Sequence, residues 1–163
     1  MNREELRDQL LVPVLQWTRL GRQSNRLMTG SSAVISYRTR RLLRAGAFSR
    51  QADWDEVARM TREKVEVPLQ AATAMGVAML PVVKQFWTHT GQSMLACSSD
   101  TLSLLGSRGP DEFHARQADL CATLINAGVG WFRLFGSLAE VASQGVAPLL
   151  RQVQDNAERL EKR

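Results

Sequence analysis

The sequence predicts an all-α protein, an elongated bundle of long amphipathic helices folded as helical hairpins with coiled-coil-like packing. Three observations lead there. No stretch alternates apolar and polar residues for long, and no Asn-Gly or Asp-Gly pair marks a β-hairpin. Two long stretches carry apolar residues in steps of four and three, the spacing of a helical seam. And from Val67 to Ser99 the only charge is Lys84, in a chain that is otherwise 23% charged. That last stretch is interrupted by Thr73, Gln85, Thr88, His89, Gln92 and Ser93, and holds Pro81. Its longest run without a polar side chain is Ala74 to Val83, about half the roughly 20 residues a membrane span needs. A helix made from it wants an apolar surface to lie on, and no transmembrane segment is expected.

The first helix is expected over about Arg3 to Met28, with Leu6, Leu10, Leu11, Val14, Leu15 and Trp17 as its apolar residues and Pro13 near its start. Thr29-Gly30-Ser31-Ser32 predicts a break, either hydroxyl serving as a cap for the next helix. That helix is expected to run from about Ser32 to Ala45 and to stop at Gly46, with a loop to residue 52. Asp53 reads as an N-cap with Glu56 as its capping-box acid. A register then follows through Trp54, Ala58, Thr61, Val65, Pro68, Ala72, Met75, Met79, Val82, Phe86, His89, Ser93 and Ala96. It passes through two prolines, which predicts kinks in one long arm. Leu104-Leu105-Gly106 ends the arm. Pro110 starts the next, followed by Asp111 and Glu112 at the positive end of the helix dipole. Its register is Phe113, Gln117, Leu120, Leu124, Ala127, Trp131, Leu134, Leu138 and Val141. Pro148 is expected to close it, leaving a charged, frayed tail. The two arms open alike, Asp55-Glu56 echoing Asp111-Glu112, as in a helix-hairpin repeat. The expected organisation is an N-terminal extension over 1–30, a helical domain over 31–150 and a tail over 151–163.

Composition narrows function by what it omits. His89 and His114 are each alone, and no metal-binding, phosphate-binding or nucleophile motif occurs. An enzyme is therefore not expected, nor a cofactor or metal. His89 lies on the apolar register and reads as an interface histidine. Cys97 and Cys121 lack CxxC spacing and read as reduced, half-buried small apolar residues. The chain opens on charged residues with no apolar core behind them, so the cytoplasm is the expected compartment. Net charge is +5, and no acid lies between Asp8 and Asp53, where the arginines from Arg19 to Arg50 concentrate. Arg38, Arg40, Arg41 and Arg44 form a candidate basic patch for phosphates or acidic partners. The alternative is a solvated face meeting acids of another subunit. Trp17, Trp54, Trp87 and Trp131 suit either an interface or a core.

The chain resembles the phasins, small helical proteins that coat polyhydroxyalkanoate storage granules in bacteria. The likeness lies in Ala33-Val34-Ile35-Ser36-Tyr37-Arg38, in Glu56-Val57-Ala58-Arg59-Met60-Thr61-Arg62-Glu63-Lys64, in Gly109-Pro110-Asp111-Glu112-Phe113 with Gln117 and Leu120, and in Pro148-Leu149. It covers roughly residues 31–150. The resemblance implies a self-associating, non-catalytic protein at the granule surface, with polymer synthase or depolymerase as possible partners. The chain departs from the family in its basic charge, its tryptophans and its two cysteines, and it lacks a lysine- and alanine-rich tail. The side chains expected to meet the polymer are Val67, Leu69, Ala72, Met75, Met79, Val82 and Phe86, and then Leu120, Leu124, Trp131, Leu134, Leu138 and Val141. The rival expectations are a soluble helical oligomer acting as an adaptor, and nucleic-acid binding through the arginines.

Overall fold

The computed structural model describes the backbone over 3–45 and 51–161, and the side chains of Arg7, residues 9–40, Ala58 and residues 61–159. It is all-α, as the sequence predicts, with no strand among the described residues. The helices are α1 (Arg3–Ala45), α2 (Gln51–Leu105) and α3 (Pro110–Glu161). The fold is simpler than the sequence reading: three uninterrupted helices replace several shorter ones.

Two expected interruptions, at Thr29–Ser32 and at Pro148, are absent. At Thr29–Ser32 the hydroxyls cap nothing. Thr29 donates to Asn25 O and Ser32 to Thr29 O, within the helix. Gly30 lies inside α1 where a Cβ would come within 2.6 Å of Val153 on α3, so this glycine permits helix contact. Pro68 and Pro81 stand at exposed positions of a continuous α2, the one long arm that the register through them predicts. Pro148 does not close α3, which continues to Glu161. The expected tail is instead held in place, with Asn156 buried and Val153 packed on Gly30. The helix α2 begins at Gln51, so Asp53 lies inside it, not at its cap. The loop expected over 46–52 gives way to helix at residues 51 and 52, while residues 46–50 and the side chains of Asp53, Trp54 and Glu56 lie outside the described residues.

The α2–α3 hairpin follows its sequence signals. Gly106 N–H donates to Leu102 O at 3.1 Å, ending α2. Pro110 occupies the first position of α3, and Glu112 accepts from Arg108 N–H at 2.8 Å. Arg116 pairs with Glu112 one turn back and also donates to Ser103 O near the end of α2. That contact stitches one helix end to the next.

The chain divides into two compact units, Met1–Trp17 with Met79–Ala139, and Thr18–Ala78 with Glu140–Arg163. In the first, Pro13 is fully buried, and a Cβ on Gly136 would meet the Pro13 ring at 2.7 Å. Leu134 and Ala139 complete its buried apolar set. In the second, Val34, Val67, Ala71 and Val141 are buried, and Gly145 admits Met75 and the carbonyl of Ala71. Here polar groups also bridge helices. Ser143 donates to Gln23, and Asn156 accepts from Arg38 and Arg159 while donating to Glu63.

The inward faces are not the apolar registers. On α1 the inward residues are Gln9, Pro13, Gln16, Leu20, Gln23, Leu27, Gly30 and Val34. That is a heptad with a glutamine column, while Leu10, Leu11, Val14 and Leu15 are exposed. On α2 the inward positions between 67 and 78 are Val67, Ala71, Ala74 and Ala78, beside the expected register, which meets the inward face at Met79, Val82, His89 and Ser93. A strict seven-residue repeat drifts by about 20° per heptad on a straight helix, which is enough to lose the face at both ends. On α3 the column Leu120, Ala127, Leu134 and Val141 turns inward as expected. Its companion column is Thr123, Gly130 and Ser137, not Leu124, Trp131 and Leu138.

Candidate apolar interaction surface

The displaced registers leave large apolar side chains facing water. On α2 within the first unit, Leu80, Trp87 and Met94 recur every seven residues, with Leu95, Leu102 and Leu105 beside or beyond them. Trp87 is 67% exposed and Leu95 75%. Met79, Val82, His89, Ser93 and Cys97 cover the bundle-facing side of the same helix. Helix α2 is therefore apolar on two sides. A helix apolar all round belongs in a core or an apolar phase. Here one side is uncovered. In the second unit Val65, Leu69 and Val77 form a smaller exposed set on α2.

An aromatic group anchors the first unit beside this surface. Phe86 meets Trp131 edge to face at 5.4 Å and Trp87 at 5.3 Å, and Trp17 stacks on Phe135 at 4.8 Å. His89 serves the interface: Nε2 lies 3.1 Å from Ala127 O, and the ring meets Trp131 at 5.6 Å. The only atom Nε2 can bond there is a carbonyl oxygen, so Nε2 carries the proton and donates. The ring reaches that carbonyl over Gly130, where a Cβ would stand 2.1 Å from it.

The polar residues that interrupt the dry stretch of α2 are thus accounted for. Thr73 donates to Leu69 O, Thr88 to Lys84 O and Thr90 to Phe86 O, each within the helix. Gln85, Thr88, His89 and Gln92 line a groove in the first unit with a volume of about 580 Å³.

The thirteen expected contact residues divide by environment. Val67, Leu134 and Val141 are buried, and Met79, Val82 and Leu120 are half-buried. Leu69, Ala72, Met75, Phe86, Leu124, Trp131 and Leu138 are exposed. The structure brings Phe86 and Trp131 into contact but gathers the expected set into no single surface. The outward stripe of α2 was missed because the sequence register followed one apolar line and α2 carries two. In the expected basic patch Arg38 is turned to Asn156 and Arg40 is exposed. The side chains of Arg41 and Arg44 lie outside the described residues. Cys97 is half-buried and Cys121 is exposed, a correction to its expected burial, and both are free thiols.

Among the described residues no group of three or more His, Cys, Asp or Glu side chains could hold a metal ion. By length and composition alone, one helix segment, Thr61–Leu105, could cross a membrane. Its most apolar window has a mean hydropathy of 1.3 and is 11% buried. No protein-family model matches the chain, and neither a curated protein nor a solved structure is similar to it.

Proposed function

We propose that this protein is a non-enzymatic coat of a hydrophobic storage granule, a phasin-like protein lying on polyhydroxyalkanoate in the cytoplasm. The observation that carries this reading is the uncovered stripe of α2, Leu80, Trp87 and Met94 with Leu95, Leu102 and Leu105, on a helix whose other side already packs in the bundle. A large apolar side chain contributes about 1.5–3 kcal/mol when fully buried. Several engaging one flat polyester surface would hold the protein there without any pocket. Lys84 sits among them as a long stem whose ammonium reaches water at the edge of the contact. The reading gives the molecule no transmembrane segment, because the polar residues at 85, 88, 89 and 92 follow directly on the apolar run and serve a polar groove.

The same stripe also suits a second copy of the chain, which makes a soluble oligomer acting as an adaptor the second reading. Synthase or depolymerase would then dock on the coat. Nucleic acid ranks last, since Arg38 is taken up by Asn156. Co-sedimentation with polyhydroxybutyrate particles between low and high salt separates these readings. Adsorption that persists at high salt is expected. Loss of binding with salt, or no binding at all, would sink the granule reading. Trp87 is the exposed reporter, and its emission is expected to shift to the blue when particles are added.

A further inference from the structure

The first unit is turned partly inside out. Several of its large apolar residues face water, whereas the groove among its three helical segments is lined by glutamines. Gln9 and Gln16 lie one heptad apart on α1, and Gln85 and Gln92 one heptad apart on α2. Gln85 and Gln92 stand two residues from Trp87 and Met94, which is about 200° of helix rotation. The polar groove and the apolar stripe therefore occupy opposite sides of α2. Among the described residues no acid lines the groove, and the one formal charge there is Arg133. No hydrogen bond or ion pair among the described residues takes up that guanidinium or the glutamine amides. The hydroxyls there are already spent: Thr88 donates to Lys84 O and Ser137 to Arg133 O. Pro13 and Leu134 give the groove an apolar floor.

We propose that this groove binds the carboxylate end of a short hydroxyacyl ester chain. Its ligand chemistry rests on the granule reading. A groove of about 580 Å³ is the size of a small-molecule site. A single arginine with no acid beside it among the described residues selects a monoanion, and its fork matches a carboxylate. Ester carbonyls accept hydrogen bonds and donate none. Glutamine NH₂ groups supply the donors they need. The aliphatic branches of the ester units rest on Pro13 and Leu134. A polymer chain end lifted from the granule surface carries these features in this order.

The test uses the full chain and a linear trimer of 3-hydroxybutyrate with a free carboxylate, followed by calorimetry and by the side-chain amide signals of ¹⁵N-labelled glutamine. Saturable binding is expected, with shifts at Gln9, Gln16, Gln85 and Gln92. Arg133→Gln should weaken it at least tenfold while sedimentation with particles is unchanged. The trimer's methyl ester, offered to the unaltered protein, should be weakened to a similar degree, so the result does not depend on how the variant folds. Absence of saturable binding, or equal affinity for acid and methyl ester, overturns the proposal. So does a titration that changes only the sedimentation coefficient of the protein, because the groove would then be a contact between copies. Particles that bind while the trimer does not refute the groove alone. Failure of particle binding refutes the granule reading.

Discussion

The two units use the same three helices and differ in how they place their polar groups. In the unit formed by Thr18–Ala78 and Glu140–Arg163, buried polar atoms are paired across helices, Ser143 with Gln23 and Asn156 with Arg38 and Glu63, and Arg159 on the same helix adds a bond to Asn156. In the unit formed by Met1–Trp17 and Met79–Ala139, His89 and Asp100 bond across to Ala127 O and Thr123, but the glutamines line an open groove, and aromatic contacts join the helices. Buried polar groups cost little when satisfied and about 1–3 kcal/mol when stranded. The difference teaches that the second unit is built for specific pairing of its helices. The first keeps polar capacity in reserve and leaves its apolar side chains outside.

Removing the outward stripe should break this contrast most sharply. Leu80→Ser, Trp87→Ser and Met94→Ser together are expected to abolish particle adsorption, a loss of at least a hundredfold in sedimentation binding, with helicity by circular dichroism retained. Val65→Ser, Leu69→Ser and Val77→Ser, on the other unit's smaller set, should weaken it far less. Equal losses would remove the distinction between the two surfaces.

Next in size are the close glycine contacts. Gly136 faces the rigid Pro13 ring and backbone, Gly130 the His89 ring, and Gly145 the flexible side chain of Met75. Overpacking costs about 1–3 kcal/mol when the neighbour cannot move. Thermal melts should therefore rank the alanine variants with Gly136→Ala the most destabilised, Gly130→Ala between, and Gly145→Ala nearly unchanged. A reversed order would mean that the first unit is the more plastic of the two.

Asn156→Ala strands Arg38, Arg159 and Glu63 partners in the second unit. It should cost about 1–3 kcal/mol in a denaturant titration, whereas Gln92→Ala in the open groove should cost under about 0.5 kcal/mol, as an exposed substitution does. The smallest effect is expected at the hairpin. Arg116→Ala removes a half-buried i,i+4 pair worth about 0.3–0.5 kcal/mol together with its contact to Ser103 O. Melting should fall by only a degree or two.

Much of the fold is legible in the sequence. The α2–α3 turn is written in Leu105, Gly106, Pro110 and Glu112, because capping and proline chemistry act within a few residues. The helical class follows from apolar spacing and from missing strand signals. The candidate surface was legible only in part. The charge-poor stretch of α2 announces an unusual apolar demand, but its pattern holds two stripes, and the sequence does not say which one the bundle takes. The glutamine column of α1 was invisible to a search for apolar registers, since Gln9, Gln16 and Gln23 look like a solvated face until α3 packs against them.

By itself, then, the sequence determined the class of secondary structure, the hairpin that ends α2, and the presence of an apolar excess that a monomeric three-helix unit does not cover. These depend on local chemistry. Only the tertiary structure decided that Gly30, Gly130, Gly136 and Gly145 permit helix contact, that Thr29–Ser32 and Pro148 lie within continuous helices, and which side of each helix turns inward. Those outcomes depend on what each position meets on another helix: a proline ring over a glycine, a histidine reaching a carbonyl, a serine bonded to a glutamine. Residues far apart in the chain make these contacts, and their energies of a few kcal/mol outweigh the local preferences that would otherwise break a helix or hide a leucine.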